Sequence, residues 1–228
     1  MTVTAILPLP AWLARCPESF LEPDAGSPPL LRVVDALGSC AEVVIAAAAE
    51  VAPPVRRTLG GHEMPTRVVA AAAPGGWAQC VTAGLAGLDG DAPVLLHDVE
   101  WPVVDPALVE RMVAALGRGA GSVLPVLPVT DSVKAVDAEG TVTATLDRAQ
   151  LRTVQYPRGF AAATLAGLAA GSASQAGGGR FDDLELVLSS GTPVTLVDGD
   201  ADAITAQLPR DADYLTAVLR VRQRSAGR

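Results

Sequence analysis

One short apolar stretch constrains the fold of this chain more than any other. Residues 92–98 read Ala-Pro-Val-Leu-Leu-His-Asp, and the run ends abruptly in His97 and Asp98. The three residues before His97 show no polar alternation, which is typical of a strand buried on both faces of a parallel sheet. Open α/β sheets bind ligands at the carboxyl ends of such strands, so Asp98 is a candidate ligand for a hard cation such as Mg²⁺. The simpler alternative is that this residue only caps the next helix.

The composition favours one α/β domain spanning residues 1–228. Half of the residues are hydrophobic but only 4% are aromatic, so the core must consist of Ala, Val and Leu. The net charge is −8 and Lys134 is the single lysine, which argues against nucleic acid as a partner. No apolar run approaches the roughly 18 residues that cross a bilayer, and no basic leader precedes the first apolar residues. We therefore expect a cytoplasmic protein without a membrane partner.

The pattern up to about residue 130 alternates strands with helices. Apolar runs predict strands at 2–8, 41–48, 67–71, 92–98 and 122–129, and helical spacing predicts helices at 30–37, 51–59, 75–85 and 107–116. The proline-rich segment between the first strand and the first helix is predicted to be mainly loop. Asp105-Pro106 is a helix start, with Asp as the N-cap. This order implies right-handed βαβ crossovers and a mostly parallel sheet.

The second half of the chain breaks this alternation at residues 134–148. Two short extended runs joined by a turn that contains Gly140 predict a β-hairpin, which is either an oligomerisation arm or a surface flap. Beyond the hairpin the sequence predicts helices at 160–168, 182–189 and 211–222, a loop at 169–179 and a strand at 193–197. The cysteines Cys16, Cys40 and Cys80 are far apart, so we interpret them as buried or spare thiols.

Five blocks, in order along the chain, resemble the motifs of one enzyme family. Leu96-His-Asp-Val-Glu-Trp-Pro102 is similar to H-D-A-A-R-P, and Pro128-Val-Thr-Asp-Ser-Val-Lys134 is similar to P-V-x-D-T-x-K. The run from Thr145-Leu-Asp-Arg148 through Gln155-Tyr-Pro157 to Phe160 resembles T-V-D-R-x-x-L-W-x-A-Q-T-P-Q-x-F. Phe181-Asp182-Asp183 stands where the family has T-D-E/D, and Asp198-Gly199, Ile204, Pro209 and Asp211 follow its closing motif. The family is that of the 2-C-methyl-D-erythritol 4-phosphate cytidylyltransferases.

This resemblance implies a Rossmann-like nucleotidyltransferase fold of the GT-A-like kind, with three layers and a hairpin arm that locks a homodimer. The implied reaction joins CTP to methylerythritol phosphate and releases pyrophosphate, with Mg²⁺ as cofactor. The roles carried over are catalytic for Arg148 and Arg15, substrate-binding for Thr130, Asp131, Asp182 and Arg148, nucleotide-binding for Pro8, Gly75 and Asp98, and metal-binding for Asp98. The ordinary alternatives are a local salt bridge for Arg148 and a helix cap for Asp182.

The departures from the family pattern concentrate on the phosphate-binding positions. The family has a glycine-rich loop after the first strand, whereas this chain has no glycine before Gly26 and places prolines and Trp12 there. Prolines supply no amide protons, and bulk prevents close approach of the backbone to a ligand. Glu18 replaces the loop lysine. Two charges about 4 Å apart interact by about 4 kcal/mol at an effective dielectric of about 20, so this reversal is expected to weaken polyanion binding by several kcal/mol.

Other family positions have also lost a cationic or polar side chain. Trp101 and Trp77 replace arginines, Thr205 replaces a lysine, and Cys80 replaces a serine. Three functions remain open at this point. The chain is an active cytidylyltransferase with a divergent loop, an inactive relative that acts as a binding or scaffolding partner, or a transferase for another nucleotide or sugar phosphate. The last hypothesis predicts an open pocket walled by Trp77 and Trp101.

Overall fold

The computed structural model describes residues 2–22, 26–173, 183–189, 191–207 and 210–226 of the chain. Its main sheet has the strand order β10-β5-β9-β4-β1-β2-β3, with β8 paired to the outer part of β5. The strands are β1 (Thr4–Leu9), β2 (Glu42–Ala47), β3 (Thr66–Ala70), β4 (Pro93–Leu96), β5 (Ser122–Pro128), β6 (Val133–Val136), β7 (Val142–Leu146), β8 (Arg152–Val154), β9 (Arg158–Ala161) and β10 (Thr195–Asp198). All strands of this sheet except β8 and β9 run in one direction.

Helices cover both faces of the sheet, so the predicted three-layer α/β architecture is confirmed. They are α1 (Glu18–Leu21), α2 (Pro29–Ala36), α3 (Ala52–Thr58), α4 (Trp77–Leu85), α5 (Pro106–Gly117), α6 (Ala162–Ala173), α7 (Asp183–Ser189) and α8 (Ala212–Ala226). Side chains of α1, α2, α3 and α5 pack on one face of β1, against Leu7 and Leu9. Those of α4, α6 and α7 share a second cluster with Ile6 on the opposite face. This alternation along β1 is the two-residue period of a strand that is buried on both faces.

Two predictions about secondary structure were wrong, and a third segment is more regular than expected. Phe160 lies in β9, which is antiparallel to both β4 and β5, and not in a helix. The helix that follows continues to Ala173 through a region predicted as loop, because alanine is the best helix former. The segment after β1 contains a 3₁₀ turn at Ala11–Arg15 and the short α1, so it is more ordered than its prolines suggested. The cap at Asp105 is confirmed, since its Oδ1 accepts the Ala107 amide at 2.9 Å.

The predicted hairpin is confirmed as a separate two-stranded sheet formed by β6 and β7. Its strands end at Leu146, and Arg148 begins a short 3₁₀ turn beyond them. Directly paired residues of an antiparallel pair share a face. One face of the hairpin therefore presents Val133, Ala135, Ala144 and Leu146, and a bulge after Ala135 separates these pairs from the pair of Val136 with Val142, which is 58% exposed. Within the described ranges, no helix is both long enough and apolar enough to span a membrane.

Two of the three cysteines are buried, as the sequence suggested. Burial raises the pKa of the Cys40 and Cys80 thiols to about 12, so both stay protonated at neutral pH. Cys16 is exposed on the segment after β1. Cys40 and Cys80 therefore serve as residues of the core.

Candidate functional site

Most of the predicted site residues lie at one edge of the sheet. β1, β3, β4 and β5 point the same way, so their carboxyl ends meet at this edge. Pro8 lies near the end of β1, Gly75 follows β3, Asp98 follows β4, and Thr130 and Asp131 follow β5. Ligands of open α/β sheets bind at this position, where loops from several strands converge. The fold thus brings together five residues that are up to 123 positions apart in the chain (Pro8 to Asp131).

The Asp98 carboxylate is oriented by the turn that follows β4. Its Oδ1 accepts the backbone amide of Glu100 at 2.9 Å, and its own carbonyl accepts the amide of Trp101 at 2.9 Å. The His97 amide donates to the Ile6 carbonyl of β1 at 3.0 Å, which holds the start of the turn on the sheet. Asp98 is half-buried at this point, between the buried side chains of His97 and Val99. A carboxylate is therefore presented at the ligand edge in a defined orientation.

His97 is buried in the turn after β4 and holds that turn through its ring. It is 1% exposed, and its Nε2 lies 3.1 Å from the Trp101 carbonyl, so the neutral tautomer with a proton on Nε2 donates there. Burial lowers the pKa of His97 to about 4. Its Nδ1 is buried and has no hydrogen-bond partner within the described part of the chain. The ring thus fixes the turn between Asp98 and Trp101 while it remains uncharged at neutral pH.

The segment after β1 uses its backbone amides within the protein. The Ala11 amide donates to the Gly75 carbonyl at 2.8 Å, that of Leu13 donates to the Pro10 carbonyl at 3.0 Å, and that of Cys16 donates to the Leu13 carbonyl at 3.3 Å. Pro8 and Pro10 have no amide proton. A phosphate cradle needs several amides directed at the ligand. Three amides of this segment already donate to backbone carbonyls, which agrees with the loss of the glycine-rich loop seen in the sequence.

The charged residues of this segment lie on its surface. Arg15 is exposed at the end of the 3₁₀ turn, and Glu18 is exposed at the first position of α1. Trp12 is 52% exposed, so its ring is half in solvent. Solvent and salt screen exposed charges, so the repulsion between Glu18 and a polyanion is weaker than the several kcal/mol expected from the sequence.

Arg148 and Thr130 are brought together by the fold. The Arg148 guanidinium donates to the Thr130 carbonyl, and the Asp147 carboxylate accepts the Ala149 amide at 3.0 Å. The interaction of Arg148 is therefore with the end of β5, and Asp147 serves as a cap for the next turn. Asp131 is exposed beside Thr130. Asp182 lies outside the described residues, so its predicted role receives no structural account.

A cleft of about 380 Å³ opens beside the Asp98 turn. It is lined by Trp101, Leu127, Thr153, Val154, Gln155, Ala203, Ile204, Thr205 and Tyr214. The predicted pocket wall is thus confirmed for Trp101. Trp77 is not among the residues that line this cleft, and its side chain packs against the cluster formed by α4 and α6. Clefts of this size accommodate small molecules.

Four residues in or next to the cleft were not predicted as site residues from the sequence: Gln155, Tyr156, Arg158 and Tyr214. The Tyr156 ring contacts Trp101 with centroids 6.2 Å apart, and the buried Arg158 guanidinium lies 4.3 Å from the Tyr156 ring centroid. For the first three of these residues the signal was present in the block Gln155-Tyr-Pro157-Arg158, which differs from the family's Q-T-P-Q at the second and fourth positions. Both departures are at residues that support the cleft wall.

Solved structures share this architecture. A 2-C-methyl-D-erythritol 4-phosphate cytidylyltransferase from Thermus thermophilus matches with a TM-score of 0.72 and 29% identity, over 96% of this chain and 100% of that chain. A 4-diphosphocytidyl-2C-methyl-D-erythritol synthase from Anaerococcus prevotii matches with a TM-score of 0.78 at 19% identity, over 96% of this chain and 98% of that chain, which supports the fold alone. The fold and its ligand edge define a Rossmann-like nucleotidyltransferase architecture.

Sequence comparison identifies the family. Residues 14–222 match the family model for 2-C-methyl-D-erythritol 4-phosphate cytidylyltransferase. The protein of that name from Rhodococcus opacus is 36% identical over 198 residues, which cover 86% of this chain and 83% of its own length. That from Saccharopolyspora erythraea is 35% identical over 231 residues, covering 96% of this chain and 100% of the relative. The chain belongs to the 2-C-methyl-D-erythritol 4-phosphate cytidylyltransferase family.

Proposed function

We propose that this protein transfers a cytidylyl group from CTP to the phosphate of an alcohol phosphate, with methylerythritol phosphate as the acceptor that the family suggests. The observation that carries the proposal is the convergence of Pro8, Gly75, Asp98, Thr130 and Asp131 on one edge of the sheet. The names of the relatives support the same reaction. Since the nucleotide donor is a cytoplasmic metabolite, we assign the reaction to the cytoplasm, with the whole chain acting as one domain.

The residues at this edge fit a Mg²⁺ ion that is bound partly by the protein and partly by the triphosphate. The described residues contain no group of three or more His, Cys, Asp or Glu side chains that could cage a metal. Mg²⁺ commonly takes one or two carboxylates and completes its shell with water and phosphate oxygens. Asp98 would hold the ion, and the ion would neutralise charge on the reacting phosphates. Its carboxylate is already oriented for this task by the Glu100 amide.

The other residues serve mainly to position the substrates, as is general for phosphoryl-type transfer. In this proposal Gly75 lets the nucleotide approach the backbone after β3. Pro8, near the end of β1, lies at the same edge of the sheet. Thr130 and Asp131 bind the acceptor, and Arg148 stabilises negative charge on the reacting phosphates from its position beside Thr130. Arg15 is the cation of the altered loop that remains available for the triphosphate.

We further propose a homodimer held by the β6–β7 hairpin. The support is its exposed apolar surface, on which Val136 is 60% exposed, Val142 58% and Leu146 43%. Lys134 and Thr145 form a paired position between these residues, and their side chains are joined by a 2.8 Å hydrogen bond. A two-stranded hairpin is marginally stable by itself in water, so burial of this apolar surface against a second copy would stabilise it.

A second candidate function is favoured by the segment after β1. Its amides are used by the backbone and Glu18 replaces a family lysine, so binding of the triphosphate is weakened. An inactive relative that binds the acceptor or a protein partner would have this combination. The two candidates differ in one observable, because only the enzyme releases pyrophosphate.

The proposal is tested by pyrophosphate release with CTP, Mg²⁺ and methylerythritol phosphate. The Asp98→Asn variant keeps an oxygen that accepts the Glu100 amide but removes the charge, and we expect a loss of at least about a hundredfold in kcat. Asp105→Asn is the matched control, since its Oδ1 makes the same contact with the amide two residues ahead at 2.9 Å, outside the site. If both variants retain pyrophosphate release, the role of Asp98 is refuted. If the unmodified protein releases no pyrophosphate, the second candidate is favoured.

A further inference from the structure

One wall of the cleft beside the Asp98 turn is made by a short segment between β10 and α8. This segment comprises residues 199–206, and its Ala203, Ile204 and Thr205 line the cleft. None of these eight residues, all of which the structure describes, lies in a helix or a strand. The position of the wall therefore depends on the bonds that fasten the segment to the rest of the fold.

The side chain of Gln155 binds this segment as a neighbouring strand would. Its Oε1 accepts the Asp200 amide at 2.9 Å, and its Nε2 donates to the Asp200 carbonyl at 2.8 Å. A longer contact of 3.4 Å joins the same Nε2 to the Ala203 carbonyl. A primary amide can make this set of contacts because it offers two donors and an acceptor together. Gln155 is 3% exposed, and its amide is directed at the backbone of the wall.

Gly199 provides the space that this amide occupies. A Cβ added at Gly199 would lie 2.2 Å from the Gln155 Oε1 and 3.1 Å from the Val126 carbonyl oxygen. The φ of Gly199 is outside the left-handed region, so its backbone conformation does not require glycine. The absent side chain is thus explained by close approach. The two residues are 44 positions apart (155 to 199) and form one unit, which we call the Gln155 clamp.

The clamp holds the middle of a segment whose ends are fastened by the backbone. The Gly199 amide donates to the Val126 carbonyl of β5 at 2.9 Å, and the Ala206 amide donates to the Glu100 carbonyl of the Asp98 turn at 2.8 Å. Gln155 is itself fixed to β5, because its own amide donates to the Pro125 carbonyl at 3.0 Å. The wall is therefore referenced to the same strand whose end carries the residues proposed to bind the acceptor.

We propose that Gln155 is a positioning residue for the acceptor. It fixes the wall at residues 203–205 and does not itself contact the reacting groups. The inference rests on the proposed function, which places the acceptor at Thr130 and Asp131, just beyond Leu127 of the cleft lining. A wall that is ordered before binding lowers the cost of ordering it when the acceptor enters. The effect falls on the acceptor and not on the nucleotide, whose proposed contacts include the ends of β1 and β3.

The test measures binding of the acceptor without turnover. Calorimetry uses the full chain with Mg²⁺ and α,β-methylene CTP, whose carbon bridge prevents transfer, and titrates methylerythritol phosphate. Gln155→Met keeps the length of the side chain but removes both donors and the acceptor oxygen. We expect it to weaken acceptor binding at least about tenfold and to change the affinity for the nucleotide analogue less than about twofold. Gln155→Glu should show a similar loss, because its second oxygen would face the Asp200 carbonyl.

A second variant disrupts the clamp while Gln155 stays in place. Gly199→Ala puts a Cβ where the amide oxygen lies, so it should weaken acceptor binding as Gln155→Met does. Gly167→Ala is the matched control, since an added Cβ there has nothing within 4 Å. It should keep the acceptor affinity of the unmodified protein. If the two residues act as one unit, the double variant of Gln155→Met with Gly199→Ala loses no more affinity than either single variant.

One further control separates positioning from a general loss of stability. Val55→Ala removes volume from a buried position of α3, outside the cleft, and should lower stability while it keeps acceptor affinity. The inference is overturned if both clamp variants bind the acceptor normally, if they lose acceptor and analogue equally, if the double variant is additive, or if the unmodified protein binds no acceptor. An unmodified protein that binds the acceptor but releases no pyrophosphate with CTP would refute the transfer reaction and leave the role of Gln155 standing.

Discussion

Replacement of Gly75 by alanine measures how closely the loops of the site are packed. Gly75 has a φ of +72°, and an added Cβ would lie 2.8 Å from the Ala48 Cβ and 3.6 Å from the Ala11 Cβ. The left-handed backbone costs an L-residue roughly 1–2 kcal/mol. Crowding of a well-packed site typically costs about 1–3 kcal/mol. We therefore expect the free energy of unfolding to fall by about 2–5 kcal/mol, since neither neighbour is a flexible side chain that could move aside.

Equilibrium unfolding in urea measures this loss, and Gly87→Ala is its matched control. Gly87 has a φ of +86° but nothing within 4 Å of an added Cβ, so it should show the backbone cost alone. The difference between the two variants is the crowding cost at Gly75. Combining Gly75→Ala with Ala48→Gly removes the close Cβ and should recover part of that difference. Equal destabilisation of Gly75→Ala and Gly87→Ala would refute the close packing of the two loops.

Two further predictions concern the buried histidine and the hairpin. The folded protein holds the pKa of His97 at about 4, below its ordinary 6.5, so the unfolded chain binds the proton first as the pH falls. Stability attributable to His97 is full above about pH 6.5 and is lost toward about pH 4, by about 2 kcal/mol between about pH 7 and pH 5. Urea unfolding at both pH values should show this loss reduced in His97→Gln and retained in His62→Gln; a loss unchanged in His97→Gln would contradict it. Light scattering should report a dimer that Leu146→Asp dissociates and that Thr145→Asp, on the opposite hairpin face, leaves intact; a monomeric unmodified protein would refute the dimer.

The parallel part of the sheet was predictable because each of its central strands is a continuous apolar run. The strand before His97 is buried on both faces, as the absence of polar alternation suggested. β9 escaped prediction because Arg158-Gly-Phe-Ala161 has neither length nor alternation. Its place in the sheet depends on close packing from other elements: a Cβ on Gly159 would lie 3.2 Å from both Leu116 and Val123. Such long-range packing leaves no periodic signal in the local sequence.

The candidate site was predictable to the extent that it follows from strand ends and motifs. Asp98 and Asp131 lie at the edge expected from the parallel topology and from the resemblance. The shared cleft of Trp101 and Thr205 was not predictable, because it depends on how the segment after β10 folds back onto the Asp98 turn. The clamp made by Gln155 was missed for the same reason, since its partners lie 45 and 48 residues away.

We propose that the site keeps its carboxylate while its binding of the triphosphate is weakened. The most direct test is pyrophosphate release as a function of CTP concentration, with Mg²⁺ and a saturating acceptor. We predict release that depends on Asp98 and does not saturate below about 1 mM CTP, the upper end of ordinary KM values. Saturation at micromolar CTP would contradict the weakened loop, and release that survives Asp98→Asn would contradict the retained site.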